Sequence, residues 1–123
     1  MPVALGIAVG GALGALARYG VDEWVGRRTG AFPWGILVVN VSGAFLIGVA
    51  AEAMEPRFED AAWLRTAAIT GFLGAYTTFS TFSLDTYRLL DRGAIDQALA
   101  NVLGTVVLGL LAVWLGLRVG RAL

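Results

Sequence analysis

Four long runs without a charged residue constrain this chain more than any other feature of its sequence. They cover 1–17, 29–51, 66–84 and 97–117, and they are 17, 23, 19 and 21 residues long. A helix that crosses a bilayer needs roughly 20 mostly apolar residues, with a tolerated range of about 17–25. The sequence therefore predicts an all-α membrane protein with four transmembrane helices.

The rest of the chain is too short to hold a soluble domain. Of the 123 residues, 58% are hydrophobic and 15% are charged, whereas soluble domains average about 45–50% and 25%. Four tryptophans lie near the ends of the runs, where indole rings favour the headgroup region: Trp24, Trp34, Trp63 and Trp114. We predict one four-helix transmembrane domain over 1–123, with spans near 3–24, 32–52, 62–88 and 96–118.

Several classes of function are disfavoured by what the sequence lacks. The chain has no Cys and no His, so thiol chemistry and the commonest general base and metal ligand are missing. Its net charge is zero, which gives no case for a nucleic-acid partner. No carboxylate lies inside a run, although a proton-coupled exporter of organic cations usually carries one deep in a span. We therefore expect no enzyme, no nucleic-acid binding and no cation exporter.

The arginines are balanced across the predicted membrane. One side carries Arg57, Arg65, Arg118 and Arg121, and the other carries Arg27, Arg28, Arg88 and Arg92, with Arg18 as a possible fifth. Orientation normally follows an excess of Lys and Arg on the cytoplasmic side. Two interpretations stay open at this point: the first helix sets the orientation alone, or the chain inserts both ways and forms an antiparallel dimer.

Small residues repeat along two of the predicted helices. The first helix carries Gly6, Gly10 and Gly14 on one face, which lets another backbone approach closely. A partly polar stripe follows one side of the fourth helix and consists of Asn101, Gly104, Thr105, Gly109, Ala112 and Gly116. We expect both faces to be helix-packing surfaces, and the polar members Asn101 and Thr105 set the second one apart.

Asn40 is the twelfth of the 23 residues in the second run, and so lies at its centre. An amide at that depth can join two helices, a bond worth about 0.6–2 kcal/mol. It can equally line a path for an anion. The residue by itself does not separate the two roles.

The segment GAYTTFSTFSLD at 74–85 concentrates hydrogen-bonding groups in otherwise apolar sequence. Between residues 77 and 83 it holds five hydroxyl side chains and two phenylalanines. Such a segment can support a broken helix, which is tolerated at membrane depth only where it is buried or lines a cavity. Phe79 and Phe82 share one helical face, and the positive rims of their rings suit a small anion. The alternative is two core phenylalanines with Ser and Thr bonded to their own helix.

Three motifs in order resemble those of the Fluc (CrcB) family of fluoride channels, over essentially the whole chain. The first helix offers GGALGALARYG, with Gly14, Arg18 and Tyr19 at the family's places. The second offers PWGILVVNVSGAFLIG at 33–48, and the third offers GFLGAYTTFSTFS at 71–83, the family's most specific signature.

The resemblance implies a fluoride-specific ion channel that lets fluoride leave the cytoplasm passively, down its electrochemical gradient. It implies a multi-pass protein of the cell membrane, inner or plasma, in which the lipid bilayer surrounds an antiparallel homodimer with a broken third helix. Two pores would each draw on both subunits. The alternative function is a small dual-topology multidrug-type exporter, a class that lacks the TTFST signature.

The resemblance also implies roles for individual residues. The fluoride pore would consist of Asn40 as a hydrogen-bond donor, Phe79 and Phe82 as lining rings, and Ser80, Thr81 and Thr105 as assisting hydroxyls. The backbone carbonyls of Gly74 and Thr77, from both subunits, would hold one structural sodium ion that is not transported. Arg18 would lie at a pore vestibule together with Asp85, which takes a place where the family usually has Glu.

Overall fold

The computed structural model describes residues 2–27, 30–57 and 59–123. Arg28, one of the arginines counted in the charge balance, lies outside these residues. The described helices are α1 Pro2–Gly26, α2 Trp34–Ala53, α3 Ala62–Thr66, α4 Gly74–Tyr76, α5 Phe79–Asp91 and α6 Ile95–Ala122. A 3₁₀ turn at Glu59–Ala61 precedes α3, and a π-helix at Ala67–Leu73 joins α3 to α4. The described chain has no strand, which confirms the all-α prediction.

Three of the described helices are long and apolar enough to cross a membrane: Val3–Gly26, Trp34–Ala53 and Ile95–Ala122. The remaining uncharged run, 66–84, is divided between shorter helical pieces. The chain is thus a bundle of four membrane segments. The first, second and fourth are continuous helices, and the third is broken. The limits of the predicted spans within these helices stay predictions.

The break falls at Thr77 and Thr78. Thr77 has φ −83° and ψ 157°, and Thr78 has φ −150° and ψ 121°, so both residues are extended between two helical pieces. Extended residues interrupt the i→i+4 ladder and leave backbone groups that need other partners. The broken third helix predicted from the Thr-rich segment is confirmed.

The glycine face of α1 packs against the π-helix of the third segment. A Cβ atom added at Gly10 would lie 2.5 Å from the carbonyl oxygen of Ala67, and one at Gly14 would collide with the carbonyl of Phe72. The missing side chains therefore let two backbones touch, which is how small residues join helices in a membrane. This confirms the packing role expected for the face.

The pair α2 and α6 forms the most extensive helix contact in the described chain. A Cβ at Gly48 would lie 2.6 Å from the Val113 carbonyl oxygen, and one at Gly116 would collide with the carbonyl of Phe45. Near the ends of the same helices, Arg121 and Glu52 are paired at 3.0 Å. Gly104 and Gly116 of the stripe thus face α2, whereas an added Cβ at Gly109 would meet nothing within 4 Å among the described residues.

A tight turn returns the chain from α5 to α6. Gly93 has φ 77°, a left-handed conformation that glycine adopts without strain. Its N–H donates to the Leu90 carbonyl at 2.9 Å, and the Ala94 N–H donates to the Leu89 carbonyl at 2.9 Å. These bonds close the C-terminus of α5 and lay it beside the start of α6.

Candidate functional site

Thr78 caps the start of α5 at the break. Its Oγ1 accepts a hydrogen bond from the Thr81 N–H at 3.2 Å and lies 3.2 Å from both the Ser80 and the Thr81 hydroxyl oxygens. The residue is only 8% exposed. Thr is a preferred N-cap because its side chain replaces a lost backbone acceptor. The capping role of Thr78 was not predicted from the sequence, although this residue directly precedes the strongly amphipathic stretch that becomes α5.

Asn40 pairs with the broken backbone of Thr78. Its Nδ2 donates to the Thr78 carbonyl at 3.0 Å, and its Oδ1 accepts from the Thr78 N–H at 2.9 Å. One amide side chain thus satisfies both backbone groups of an extended residue, as a neighbouring strand would. Since an amide nitrogen carries two hydrogens, this pairing leaves one N–H of Asn40 to donate elsewhere.

The same contacts explain why two carbonyls at the break lose their helical partners. In a continuous helix the Gly74 carbonyl would accept from the Thr78 N–H, and that N–H donates to Asn40 instead. The Thr77 carbonyl would accept from the Thr81 N–H, which donates to the Thr78 side chain. The carbonyls of Gly74 and Thr77 are therefore open to other partners.

Arg18 reaches one of these carbonyls. Its Nη1 donates to the Thr77 carbonyl oxygen at 3.4 Å, across the contact between α1 and the third segment. The Thr77 side chain turns away, since its Oγ1 donates to the Leu73 carbonyl at 3.0 Å. Gly74 lies exposed on the subunit, and an added Cβ there would meet only the Ile69 carbonyl oxygen, at 3.7 Å.

Asn40 lines two cavities. The larger has a volume of about 390 Å³ and is lined by Asn40, Phe79, Phe82 and Thr105 together with Thr77, Thr78 and four residues of α6. The smaller, of about 260 Å³, is lined by Asn40, Gly74, Thr77 and apolar neighbours. Among the described residues, no charged side chain lines either cavity.

The larger cavity, which we call the ring cavity, brings four of the sequence-predicted pore residues together. The rings of Phe79 and Phe82 lie 5.8 Å apart between centroids and are tilted by 47°. The Thr105 Oγ1 is buried and has no hydrogen-bond partner among the described residues. Leaving a buried hydroxyl without a partner costs about 1–3 kcal/mol of stability. Thr105, a residue of the cavity wall, thus carries a donor that lacks an acceptor.

Three other predicted residues lie outside the ring cavity. Ser80 and Thr81 do not line it, and their hydroxyls contact Thr78 instead. Asp85 lies further along α5, and its Oδ1 is 4.0 Å from the Arg88 Nη1. The first two therefore shape the start of α5 in the subunit.

A second brace near the break was not identified from the sequence. The buried Tyr76 hydroxyl lies 2.9 Å from the Ser42 hydroxyl, which is also 3.1 Å from the Val39 carbonyl oxygen. Asn40 and Ser42 on α2 thus hold the chain at the extended Thr78 and just before the break, at Tyr76. Only the packing of α2 against the third segment brings these residues together, so no local pattern indicates the pair.

The described residues contain no group of three or more His, Cys, Asp or Glu that could hold a metal ion. The backbone carbonyls at the break are hard oxygen ligands, which suit a small cation.

A family model described as CrcB-like protein, Camphor Resistance (CrcB), matches residues 5–117. Three similar curated relatives are each named fluoride-specific ion channel FluC. The one from Methylococcus capsulatus is 52% identical over 95% of this chain and 52% of its own length. Those from Rhizobium leguminosarum bv. trifolii and Acidobacterium capsulatum are 51% and 47% identical over 98% and 95% of this chain. The chain spans about half of the first relative and 97% and 94% of the other two.

The cap at Thr78 predicts a specific loss of stability. Thr78→Val keeps the β-branched shape but removes the hydroxyl, and it should lower the free energy of unfolding by about 0.5–2 kcal/mol, the usual cost of losing a cap. Thermal unfolding in detergent and hydrogen exchange of the Thr81 amide would measure it.

Two variants serve as controls. Thr78→Ser keeps the cap and should resemble the wild type, and so should Ser83→Ala, because the exposed Ser83 hydroxyl bonds only to the Phe79 carbonyl of its own helix. Equal stability of Thr78→Val and Ser83→Ala would contradict the capping role.

Proposed function

Because the chain belongs to the CrcB family, we propose that this multi-pass membrane protein is a fluoride-specific ion channel that gives passive fluoride efflux and lowers cytoplasmic fluoride. The observation that carries the proposal is the ring cavity, in which neutral donors and aromatic rings meet without any charged side chain. The three relatives with fluoride channel names support it. The chain is a channel rather than an enzyme, and its ion crosses without a chemical step.

The residues of the ring cavity suit a small anion. A pore must replace the waters that an ion loses on entry, and fluoride needs several donors at short range. Asn40 has one N–H left after pairing with Thr78, and the Thr105 hydroxyl has no partner among the described residues. Phe79 and Phe82 add positively polarised ring edges. These groups favour fluoride because a larger chloride ion cannot approach all of them closely.

The helix that begins at Phe79 supports the same polarity. The N-terminus of a helix carries a partial positive charge and unpaired N–H groups. α5 starts beside the ring cavity, and its cap, Thr78, lines it. Ser80 and Thr81 act here through their contacts with Thr78, which hold this end of the helix in place.

We propose that two copies form an antiparallel homodimer, in which each pore draws on both subunits. Phe79 is 80% exposed in the single subunit although it lines the ring cavity. A second copy of the chain could therefore cover the exposed edge of this ring. The equal arginine counts on the two predicted sides support insertion in both orientations. A dimer of this kind would close the open side of each ring cavity.

A structural sodium ion fits the open carbonyls of Gly74 and Thr77. Both have lost their helical donors, and Gly74 has no side chain to block an approach from outside the subunit. The positive charge of the ion would hold together the broken third segments of the two subunits. In the single subunit, the Arg18 guanidinium donates a hydrogen bond to the Thr77 carbonyl. We propose that this guanidinium turns toward the vestibule when the carbonyl oxygen binds a cation. Asp85 lies on the same predicted vestibule side, near Arg88.

A small multidrug-type exporter fits the site less well. Such an exporter needs a carboxylate within the membrane to bind a cation or a proton. Neither cavity beside Asn40 is lined by one.

Fluoride efflux from liposomes that contain only this protein tests the channel directly. We expect fluoride to leave down its gradient while chloride is retained, because the ring cavity offers many short-range donors to a small ion. Ion-selective electrodes would record both fluxes. Equal fluxes of the two anions, or a flux that needs a proton gradient, would overturn the proposal.

The ring edges are tested in the same assay. Phe79→Ile and Phe82→Ile keep apolar bulk but remove the polarised rim, so each variant should conduct poorly while the protein stays assembled. Leu89→Ile, a change at a buried position of α5 outside the ring cavity, is the matched control. Normal conduction by both Phe variants would mean that the rings only fill space.

Dual orientation can be measured with single reporter cysteines, because the natural chain has no Cys. A Cys at Glu55 should react with an impermeant thiol reagent in about half of the copies from each side of the membrane, as equal arginine counts predict. Asp91→Cys, at the end of α5 on the other predicted side, should likewise be labelled in about half of the copies from each side. Labelling from one side only would exclude the antiparallel dimer.

Sodium removal should weaken the assembled dimer. Carbonyl cages discriminate among cations by size and field strength, so replacing sodium with N-methylglucamine should shift the purified protein toward monomers in sedimentation experiments. Thr77→Ser should not alter this dependence, because the proposed ligand is the backbone carbonyl. A dimer that is equally stable in both salts would argue against the ion.

A further inference from the structure

One interhelical hydrogen bond lies outside every role described so far. Asn101 on α6 is 2% exposed, and its Nδ2 donates to the Thr86 Oγ1 at 2.9 Å. The Thr86 hydroxyl in turn donates to the Phe82 carbonyl at 2.8 Å. A hydroxyl has a single proton, so the order is fixed: Asn101 donates to Thr86, and Thr86 donates to Phe82.

This chain of bonds joins a weakly packed helix to a firmly packed one. α6 is held against α2 by backbone contacts at Gly48 and Gly116. α5, by contrast, buries only Leu89 within the described subunit. Among the described residues, Asn101 and Thr86 make the one side-chain hydrogen bond between α5 and α6. Beyond the turn at Gly93, this hydrogen bond therefore helps to fix the position of α5 against α6.

The bond lies one helical turn from the ring cavity on both helices. Asn101 and Thr105 are four residues apart and share a face of α6, while Phe82 and Thr86 do the same on α5. Phe82 and Thr105 both line the ring cavity. A fixed register between Asn101 and Thr86 consequently fixes the distance between the Phe82 ring and the Thr105 hydroxyl.

We propose that Asn101 and Thr86 are positioning residues that set the place of the Phe82 ring, and with it the width of the fluoride site. The proposal rests on the proposed function, because it assigns the register a role in conduction and selectivity. It differs from simple helix adhesion, which would change stability without moving the ring.

Thr86→Val in the full-length protein is the main variant. It keeps the shape of the side chain and removes the hydroxyl that joins Asn101 to Phe82. Thr86→Ser restores the hydroxyl and should rescue the wild-type behaviour. Thr66→Val is the matched control, because the Thr66 hydroxyl bonds to the Ala62 carbonyl of its own helix at 3.1 Å with no donor from another helix.

The first readout is the ring itself. With 4-fluorophenylalanine at position 82, the ¹⁹F resonance should shift or split in Thr86→Val and stay unchanged in Thr86→Ser and Thr66→Val. If Thr86→Val does not fold, Asn101→Ala cuts only the link to α6 and should give the same change. An unchanged resonance in the folded variant overturns the proposal.

The second readout is transport. We expect fluoride efflux through Thr86→Val to fall by roughly three- to twentyfold. This factor is the free energy of an interhelical hydrogen bond in a membrane, expressed as a ratio of rates. The ratio of fluoride to chloride flux should fall as well. A moved ring with unchanged efflux and selectivity overturns the proposal. If the wild type passes no fluoride, the proposed function fails, while the ¹⁹F spectra still decide whether Asn101 and Thr86 position Phe82.

Discussion

The pairing of Asn40 with the backbone of Thr78 is the interaction on which the rest of the structure depends. In a bilayer each unpaired backbone group costs several kcal/mol, so a helix can break there only where other groups replace the lost bonds. Asn40 satisfies the N–H and the carbonyl of Thr78 together. Once that N–H is taken, the Gly74 carbonyl has no helical donor, and the chain is free to begin α5 at Phe79. The open carbonyl and the ring cavity thus follow from one side chain.

That pairing requires helices that lie unusually close together. A short amide can reach a neighbouring backbone only if the two segments nearly touch, and glycine makes this possible. The backbone of α1 meets the π-helix at Gly10 and Gly14, while α2 meets α6 at Gly48 and Gly116. At Gly43, an added Cβ would collide with the Thr77 side chain itself. Small residues therefore form the frame that holds the break in place, in keeping with helix packing in membranes generally.

The break also separates two opposite kinds of chemistry over a short distance. Asn40 and Thr77 border both cavities: the ring cavity adds donors and ring edges, and the smaller cavity adds Gly74, whose carbonyl has lost its helical donor. Donors with polarised rings attract an anion, whereas carbonyl oxygens attract a cation. A continuous helix would present neither, because its N–H and carbonyl groups bind each other. An irregular backbone therefore exposes ion-attracting groups in a chain that has no His, no Cys and no carboxylate within its uncharged runs.

Local composition, spacing and backbone preference are enough to predict the four membrane segments, the small-residue faces and the broken third helix. The motifs shared with the family also identify the pore candidates. The partners of these residues emerge only in the folded chain: Asn40 with Thr78, Arg18 with the Thr77 carbonyl, and Asn101 with Thr86. Ser80 and Thr81, predicted from their motif to assist the pore, contact the cap within the subunit. These pairings depend on the register and rotation of whole helices, which are set by packing between residues far apart in the chain and leave no local pattern.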